Sequence, residues 1–199
     1  MCTGYLADQI ENQFGDGRRW DLEIKYSKEL HPLGTAGALK LAESRLGDVS
    51  DFVVMNGDSF LEIDFRQFVR FHRRRRGLAS IATLQVENAS RYGTVQVDTG
   101  GRVTGFSEKV GSNLPGLISG GVYVFNRAVL EHIPEGPASL ERDVFPELLG
   151  YGVYALEQRG TFIDIGTPEE YARAQVICDR LYGAACRMQE LGSWDDEKC

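Results

Sequence analysis

The sequence predicts an α/β protein: a mostly parallel sheet with helices on both faces and a small antiparallel insertion. Three observations carry this. Short apolar runs of strand character alternate with segments of helical period. The stretch from Gly93 to Lys109 is strand-rich and contains a Gly100-Gly101 turn. Two of the apolar runs lead into aspartate, Phe52-Val53-Val54-Met55-Asn56-Gly57-Asp58 and Thr161-Phe162-Ile163-Asp164. A carboxylate so placed sits at the C-terminal edge of a strand, where open α/β sheets bind ligands. Asp58 and Asp164 are 106 positions apart (164 − 58). They could meet over one divalent cation that also takes substrate phosphates, as Mg²⁺ does.

The elements follow in order. Leu6, Ala7, Ile10 and Phe14 have helical spacing, ended by Gly15-Asp16-Gly17. Leu22 to Tyr26 alternates and predicts a strand. His31 to Gly37 reads as a Pro/Gly loop and Ala38 to Ser44 as a helix. Phe52 to Met55 is a buried strand. Phe65, Phe68, Val69 and His72 follow a helical period that closes on Arg73 to Arg76 and Gly77. Ala79 to Val86 is a strand, Gly93 to Asp98 and Arg102 to Lys109 a hairpin, and Ser119 to Phe125 a buried strand. Asn126 to His132 predicts a short helix, and Ser139 to Phe145 opens another. Gly152 to Leu156 is a strand with Thr161 to Ile165 as its expected partner. Thr167-Pro168-Glu169-Glu170 is a helix start, with Thr as N-cap, Pro at N1 and Glu at N3. That helix should run to about Gln189.

At 199 residues the chain fits one domain, 1–190, followed by a loose tail, 191–199. A net charge of −7 argues against nucleic acid and anionic membrane as partners. A phosphorylated ligand would need a cation or a placed Lys or Arg. No run approaches the 18 apolar residues of a membrane span, and the N-terminus does not read as a secretory signal. Cys2, Cys178, Cys186 and Cys199 contain no CxxC, which speaks for free thiols in a reducing cytoplasm and against structural zinc. His31, His72 and His132 show no ligand spacing.

Each motif has two readings on its own. In Pro32 to Leu39, small residues and the free N–H groups of a helix start suit a flat or anionic ligand; an ordinary loop-to-helix junction explains them as well. Asn56-Gly57-Asp58 is also a common turn, and Asp164 also suits the approach to a helix start. Glu108-Lys109 could reach a sugar hydroxyl and a phosphate or form a solvated surface pair. Arg73 to Arg76 reads as a solvated helix end.

The order of the motifs is more specific than any one of them. PLGTAGAL, NGDSF, RYGTV, FSEK, ISGGVYVF, SLERDVFP and FIDIGTPEEY, in that order, resemble the sugar-1-phosphate nucleotidyltransferases. Among these, the chain is most similar to the mannose-1-phosphate and D-manno-heptose-1-phosphate guanylyltransferases. The resemblance spans about residues 4 to 178. It implies a Rossmann-like three-layer α/β/α fold and transfer of a nucleotidyl group, GMP from GTP, to a sugar 1-phosphate with release of pyrophosphate. It implies that Leu33, Gly34, Thr35, Ala36 and Gly37 bind nucleotide, and that Asp58 and Asp164 hold Mg²⁺. Gly93, Glu108, Gly120 and Gly121 would meet the sugar, and Lys109, the catalytic lysine, its phosphate. The implied partners are a nucleoside triphosphate and a sugar 1-phosphate, and the apolar face of the last helix leaves a homo-oligomer open.

Two departures accompany the resemblance. Relatives carry a G-G-x-G-T-R-L loop and a later P-K pair that cradle the triphosphate; neither occurs here, so an N-terminally truncated chain lacking the first βα units is expected, short by roughly 60 residues. Leu22 to Tyr26 would then be an unpaired edge, and the chain as written would bind nucleoside triphosphate poorly and be nearly inactive. Ser119 stands where relatives carry Asn. A non-catalytic remnant that binds nucleotide-sugar or docks on a full-length relative is the alternative. A GT-A glycosyltransferase is disfavoured because Asp58-Ser59-Phe60 is not a D-x-D.

Overall fold

The computed structural model describes residues 1–107 and 113–182, with side chains to residue 177. In chain order the elements are β1 (Cys2–Thr3), α1 (Ala7–Phe14), β2 (Ser27–Lys28), α2 (Gly34–Leu41), β3 (Asp51–Met55), β4 (Ser59–Leu61), α3 (Phe65–Arg75), β5 (Ala79–Val86), β6 (Thr94–Val97), β7 (Val103–Ser107), β8 (Gly116–Asn126), α4 (Phe145–Leu148), β9 (Val153–Glu157), β10 (Phe162–Asp164) and α5 (Pro168–Tyr182). Short 3₁₀ and π turns cover much of the stretch between β8 and β9.

The main sheet is ordered β7-β6-β8-β5-β9, with β3 also on β8. β8 is antiparallel to β3, β5 and β6, and β9 is parallel to β5. Four of the six strands, β3, β5, β6 and β9, therefore run one way, with β8 and β7 against them. The insertion is the antiparallel β6–β7 hairpin. The α/β class read from the sequence holds.

The layers follow from period-2 alternation along β8. Tyr123 and Phe125 point to one face, Val122 and Val124 to the other, and all four are buried. The first face packs under α2, α4 and the turns before α4, through Ala36, Leu39, Leu130, Leu140, Phe145 and Leu148. Its centre is an aromatic cluster, with Tyr123, Phe125 and Phe145 ring centroids 5.3–5.9 Å apart. The second face packs under α3 through Phe68 and Phe71. Burial on both faces explains why β8 reads as a continuous apolar run rather than an alternating one.

Helix ends behave as their residues dictate. Asp64 caps α3 by accepting from Gln67 N at 2.9 Å, and Thr167 caps α5 by accepting from Glu170 N at 3.3 Å. The arginine run ends α3, where cations suit the helix dipole. Arg73 pairs with Asp51 at 2.9 Å, and Arg75 lies over the Phe71 and Tyr154 rings. The expected extension of α5 to Gln189, and the tail 191–199, lie outside the described residues.

Three expectations need correction. Leu22 to Tyr26 is not a strand. Its backbone folds back on the turn after α1, with Leu22 N to Gly17 O at 3.2 Å and Ile24 N to Asp16 O at 2.9 Å. Local bonds satisfy groups that a strand would have to pair elsewhere, and the parallel pair formed nearby is β1–β2. Thr161 to Ile165 does not pair with β9. β9 lies on β5 and β10 on β4, because Gln158 N continues the β5 contact to Thr83 O (2.7 Å) before the chain crosses to the smaller sheet. Finally, α2 begins at Gly34, not Ala38.

His72 on α3 is 2% exposed. Its Nδ1 lies 2.9 Å from Ser80 Oγ and its Nε2 3.8 Å from Asp51 Oδ1. Burial pushes the imidazole below its usual 6.5, opposed by Asp51 and helped by Arg73. The unfolded chain therefore takes up this proton at higher pH than the folded one. The contribution to stability is present above about 6.5 and is lost as pH falls through the lower folded value. Thermal unfolding between pH 7.5 and 5 should show Tm falling on acidification, by about 2–4 °C per kcal/mol lost. In His72→Asn, whose amide can keep a bond to Ser80, the slope should flatten; an unchanged slope would assign the pH response to other groups.

Candidate functional site at the fork of β8

β8 is longer than any one partner. Along one edge it pairs with β5; along the other it pairs with β3 near its C-terminal end and with β6 near its N-terminal end. Between those two contacts the strand bulges. Ile81 pairs with Tyr123 and Thr83 with Ser119, so a step of two on β5 (83 − 81) spans a step of four on β8 (123 − 119). The surplus falls at Gly120 and Gly121. Gly121 has φ +71°, and a Cβ there would lie 2.5 Å from Ser59 Oγ. A Cβ at Gly120 would lie 2.6 Å from Leu61 Cδ2. Bulges of this kind re-aim side chains beside binding sites.

The bulge meets the end of β3, where Asn56 N bonds Gly121 O at 2.8 Å. The chain then turns through Gly57 to Asp58 and enters β4. β4 pairs antiparallel with β10, setting Asp164 opposite Ser59, and Ile165 N bonds Asp58 O at 2.9 Å. The two aspartates singled out in the sequence thus stand at neighbouring register positions on paired segments. Both line a cavity of about 670 Å³ over the fork.

Asp58 is exposed and Asp164 half-buried. Asp164 Oδ1 accepts from Gly166 N at 2.9 Å, so the residue also organises the approach to α5. Tyr92 packs edge-on to Phe162 (centroids 6.1 Å apart), and its phenol is pushed up by burial and then by the negative charge of Asp164. Arg91 on the same wall reaches Glu170 at 3.6 Å. The cavity is also lined by Ser119, Tyr123, Ser139 and Glu141, with Arg142 exposed. Tyr123 is fully buried; burial, then Glu141, push its phenol well above the ordinary tyrosine value.

The donor set bears on a metal. Among the described residues no group of three or more His, Cys, Asp or Glu could cage an ion. Two carboxylates beside Ser59 Oγ, which is buried with no partner among the described residues, instead fit a hard cation that shares its shell with water and substrate phosphates, the habit of Mg²⁺.

Of the expected site residues, Asp58, Asp164, Gly93 and Gly121 line this cavity. Gly120 is buried against Leu61 and Ala82. None of Leu33 to Gly37 is among the residues that line it. The free helix-start N–H groups expected there are occupied: Ala36 N and Gly37 N bond Ala138 O at 2.9 and 3.3 Å. Thr35 Oγ1 accepts from Leu140 N at 2.8 Å, which ties that turn to the segment carrying Glu141. Glu108 and Lys109 lie outside the described residues. Sequence reasoning assigned nothing to Arg91, Tyr92, Tyr123 or Glu141, although all lie inside the ordered motifs; only their meeting in space singles them out.

The site combines two carboxylates on or beside the paired strands β4 and β10 with Arg91 and Arg142 at one cavity, a donor set chemically suited to a hard cation and an anionic ligand. The chain belongs to the nucleotidyl transferase family, whose sequence profile matches residues 1–179. It is 35% identical over 174 residues to the mannose-1-phosphate guanylyltransferase catalytic subunit beta of Drosophila melanogaster, covering 86% of this chain and 47% of that protein. It is 36% identical over 177 residues to the mannose-1-phosphate guanylyltransferase of Mycobacterium tuberculosis, covering 87% of this chain and 49% of that protein. The chain thus spans about half the length of these relatives. Among solved structures it is similar to HddC from Yersinia pseudotuberculosis complexed with GMP-PN, with a TM-score of 0.76 and 30% identity over 89% of this chain and 76% of that one. No helix among the described residues is long and apolar enough to cross a membrane.

The bulge makes a direct prediction. Gly121→Ala meets both a positive φ and the 2.5 Å contact with Ser59 Oγ, and should cost about 1–3 kcal/mol in denaturant unfolding. Gly57→Ala, with nothing within 4 Å and no positive φ, should be close to neutral. Equal effects would mean that Gly121 carries no special constraint.

Proposed function

We propose that this protein transfers a nucleotidyl group, GMP by preference, from a nucleoside triphosphate to a sugar 1-phosphate of mannose or heptose type, forming a nucleotide-sugar and pyrophosphate. The observation that carries the reading is the meeting of Asp58 and Asp164 on the paired β4–β10 segments at one cavity. The guanylyl preference is supported by the printed activities of the mannose-1-phosphate guanylyltransferases and by the GMP-PN complex of HddC.

In this reading a phosphate oxygen of the sugar 1-phosphate attacks the α-phosphorus, and pyrophosphate leaves. The sugar phosphate is itself the nucleophile, so no Ser-His or Cys-His pair is required. The obstacle is the mutual repulsion of two polyanions inside an acidic protein of net charge −7. Asp58 and Asp164 would hold Mg²⁺, which when bound supplies charge neutralisation at the reacting phosphates. Arg91, paired with Glu170, lines the same cavity, and the resemblance assigns Lys109 to the sugar phosphate. Gly93 and Gly121 would let the sugar approach backbone, with Gly120 buried behind them against Leu61 and Ala82 and Glu108 on its hydroxyls. The resemblance assigns the nucleotide to the turn Leu33, Gly34, Thr35, Ala36 and Gly37, which stands outside the cavity lining with Ala36 N and Gly37 N already bonded to Ala138 O. Alignment of nucleophile and leaving group does much of the remaining work.

With labelled GTP, mannose 1-phosphate and Mg²⁺, GDP-mannose should form above the enzyme-free background. It should fall to that background in Asp58→Asn and in Asp164→Asn, and omitting Mg²⁺ should have the same effect. The double variant should be no worse than either single one, because the two carboxylates act as a unit. Wild-type product rates in either variant, or no nucleotide-sugar from any sugar 1-phosphate, would contradict the proposal.

A further inference from the structure

Resting on the nucleotidyl-transfer reading, we infer that Glu141 accepts hydroxyls of the sugar ring and sets which ring is bound, with Ser119 and Tyr123 as its positioning residues. The basis is a directed hydrogen-bond chain that begins at the β8 bulge. Gly121 N–H donates to Ser119 Oγ at 3.2 Å. Ser119 donates to the Tyr123 hydroxyl oxygen at 3.1 Å, and Tyr123 donates to Glu141 Oε1 at 2.6 Å. Ser139 Oγ donates to Glu141 Oε2 at 3.3 Å.

The direction of the chain is fixed from both ends. A backbone N–H only donates and a carboxylate only accepts, so both intervening hydroxyl protons must point toward Glu141. Each link polarises the next. The middle of the chain cannot swing away. Tyr123 is fully buried, with ring centroids 5.9 Å from Phe125 and 5.3 Å from Phe145. Its phenol, driven well above the ordinary value, stays protonated and keeps donating.

Glu141 itself is half-buried and lines the cavity. An ionised carboxylate offers about four acceptor positions, and among the described residues Tyr123 and Ser139 fill two of them. What remains attracts hydroxyl donors and repels phosphate. The cation-binding pair, Asp58 and Asp164, lies on the other elements lining the same cavity. Asp58 adds to the upward push on the Tyr123 phenol, so a sugar 1-phosphate with its phosphate beside the aspartates would carry its ring toward the Tyr123–Glu141 end of the same cavity. A ligand whose hydroxyl fails to reach Glu141 leaves that charge unpaired, and discrimination is strongest where a polar group is left without its partner.

The test is calorimetric titration, in Mg²⁺, of mannose 1-phosphate and its 2-, 3-, 4- and 6-deoxy analogues into wild type, Glu141→Gln and Ser119→Ala, with thermal unfolding of each variant. Wild type should bind at least one deoxy analogue roughly 10- to 100-fold more weakly than the parent, the range for a hydrogen bond to a charged group. Glu141→Gln should bind the parent as weakly as that analogue and no longer distinguish the two. Ser119→Ala, which leaves the carboxylate in place but cuts the chain behind it, should lose part of the same discrimination and none of the binding of inorganic phosphate; it carries the test if Glu141→Gln fails to fold. A folded Glu141→Gln that ranks the analogues as wild type does, or a Ser119→Ala indistinguishable from wild type, would overturn the inference. Wild type that binds no sugar 1-phosphate would instead bring down the functional reading beneath it.

Discussion

Two adjacent glycines in the longest strand govern the geometry of the site. Along one edge β8 pairs with β3 after these glycines and with β6 before them. The bulge parts those two partners and makes the fork. From it come the backbone contact that ends β3 at Asn56, the space that Ser59 and Leu61 occupy, and the N–H that starts the chain to Glu141. The C-terminal half of β8 is buried on both faces, so its close-packed neighbours leave it little room to shift.

The second organising element is small. β4 and β10 have three residues each and stand outside the main sheet. Their antiparallel register brings together positions distant along the chain. The Leu61 and Phe162 side chains anchor this ribbon on the α3 face of the core. Exposed carboxylates on mobile loops would lose affinity to ordering costs; Asp164 lies on the paired ribbon and Asp58 is tied to it through Ile165 N, which would lower that cost for the proposed cation.

Much of this was legible before any coordinates. The long buried strands, α1, α3, the hairpin and the α5 start came from periodicity and caps, which are local. Asp58 and Asp164 stood out because a strand end both exposes and fixes a carboxylate. What failed was non-local. Leu22 to Tyr26 alternates like a strand, but alternation supplies no partner, and the turn at Asp16-Gly17 satisfied its backbone instead. The β10 partner was misjudged because nearness in sequence was taken for nearness in the sheet, whereas β9 remains on β5. Glu141 gave no sequence signal as a ligand residue: a glutamate in a turn before a helix is ordinary. It acquires meaning only beside Tyr123, 18 positions away. The turn from Leu33 to Gly37 was read as a set of free donors, yet the Ala138 carbonyl that occupies two of them comes from a hundred residues further along.

The claim on which the functional account rests is that one metal ion is shared by the carboxylates of Asp58 and Asp164. The most direct measurement is the anomalous difference density of crystals soaked with Mn²⁺ and GDP-mannose. The account predicts a single strong peak within coordination distance of an oxygen from each of the two aspartates and of the diphosphate. A peak bound to only one of them, or diphosphate density at the fork of β8 with manganese elsewhere, would contradict it.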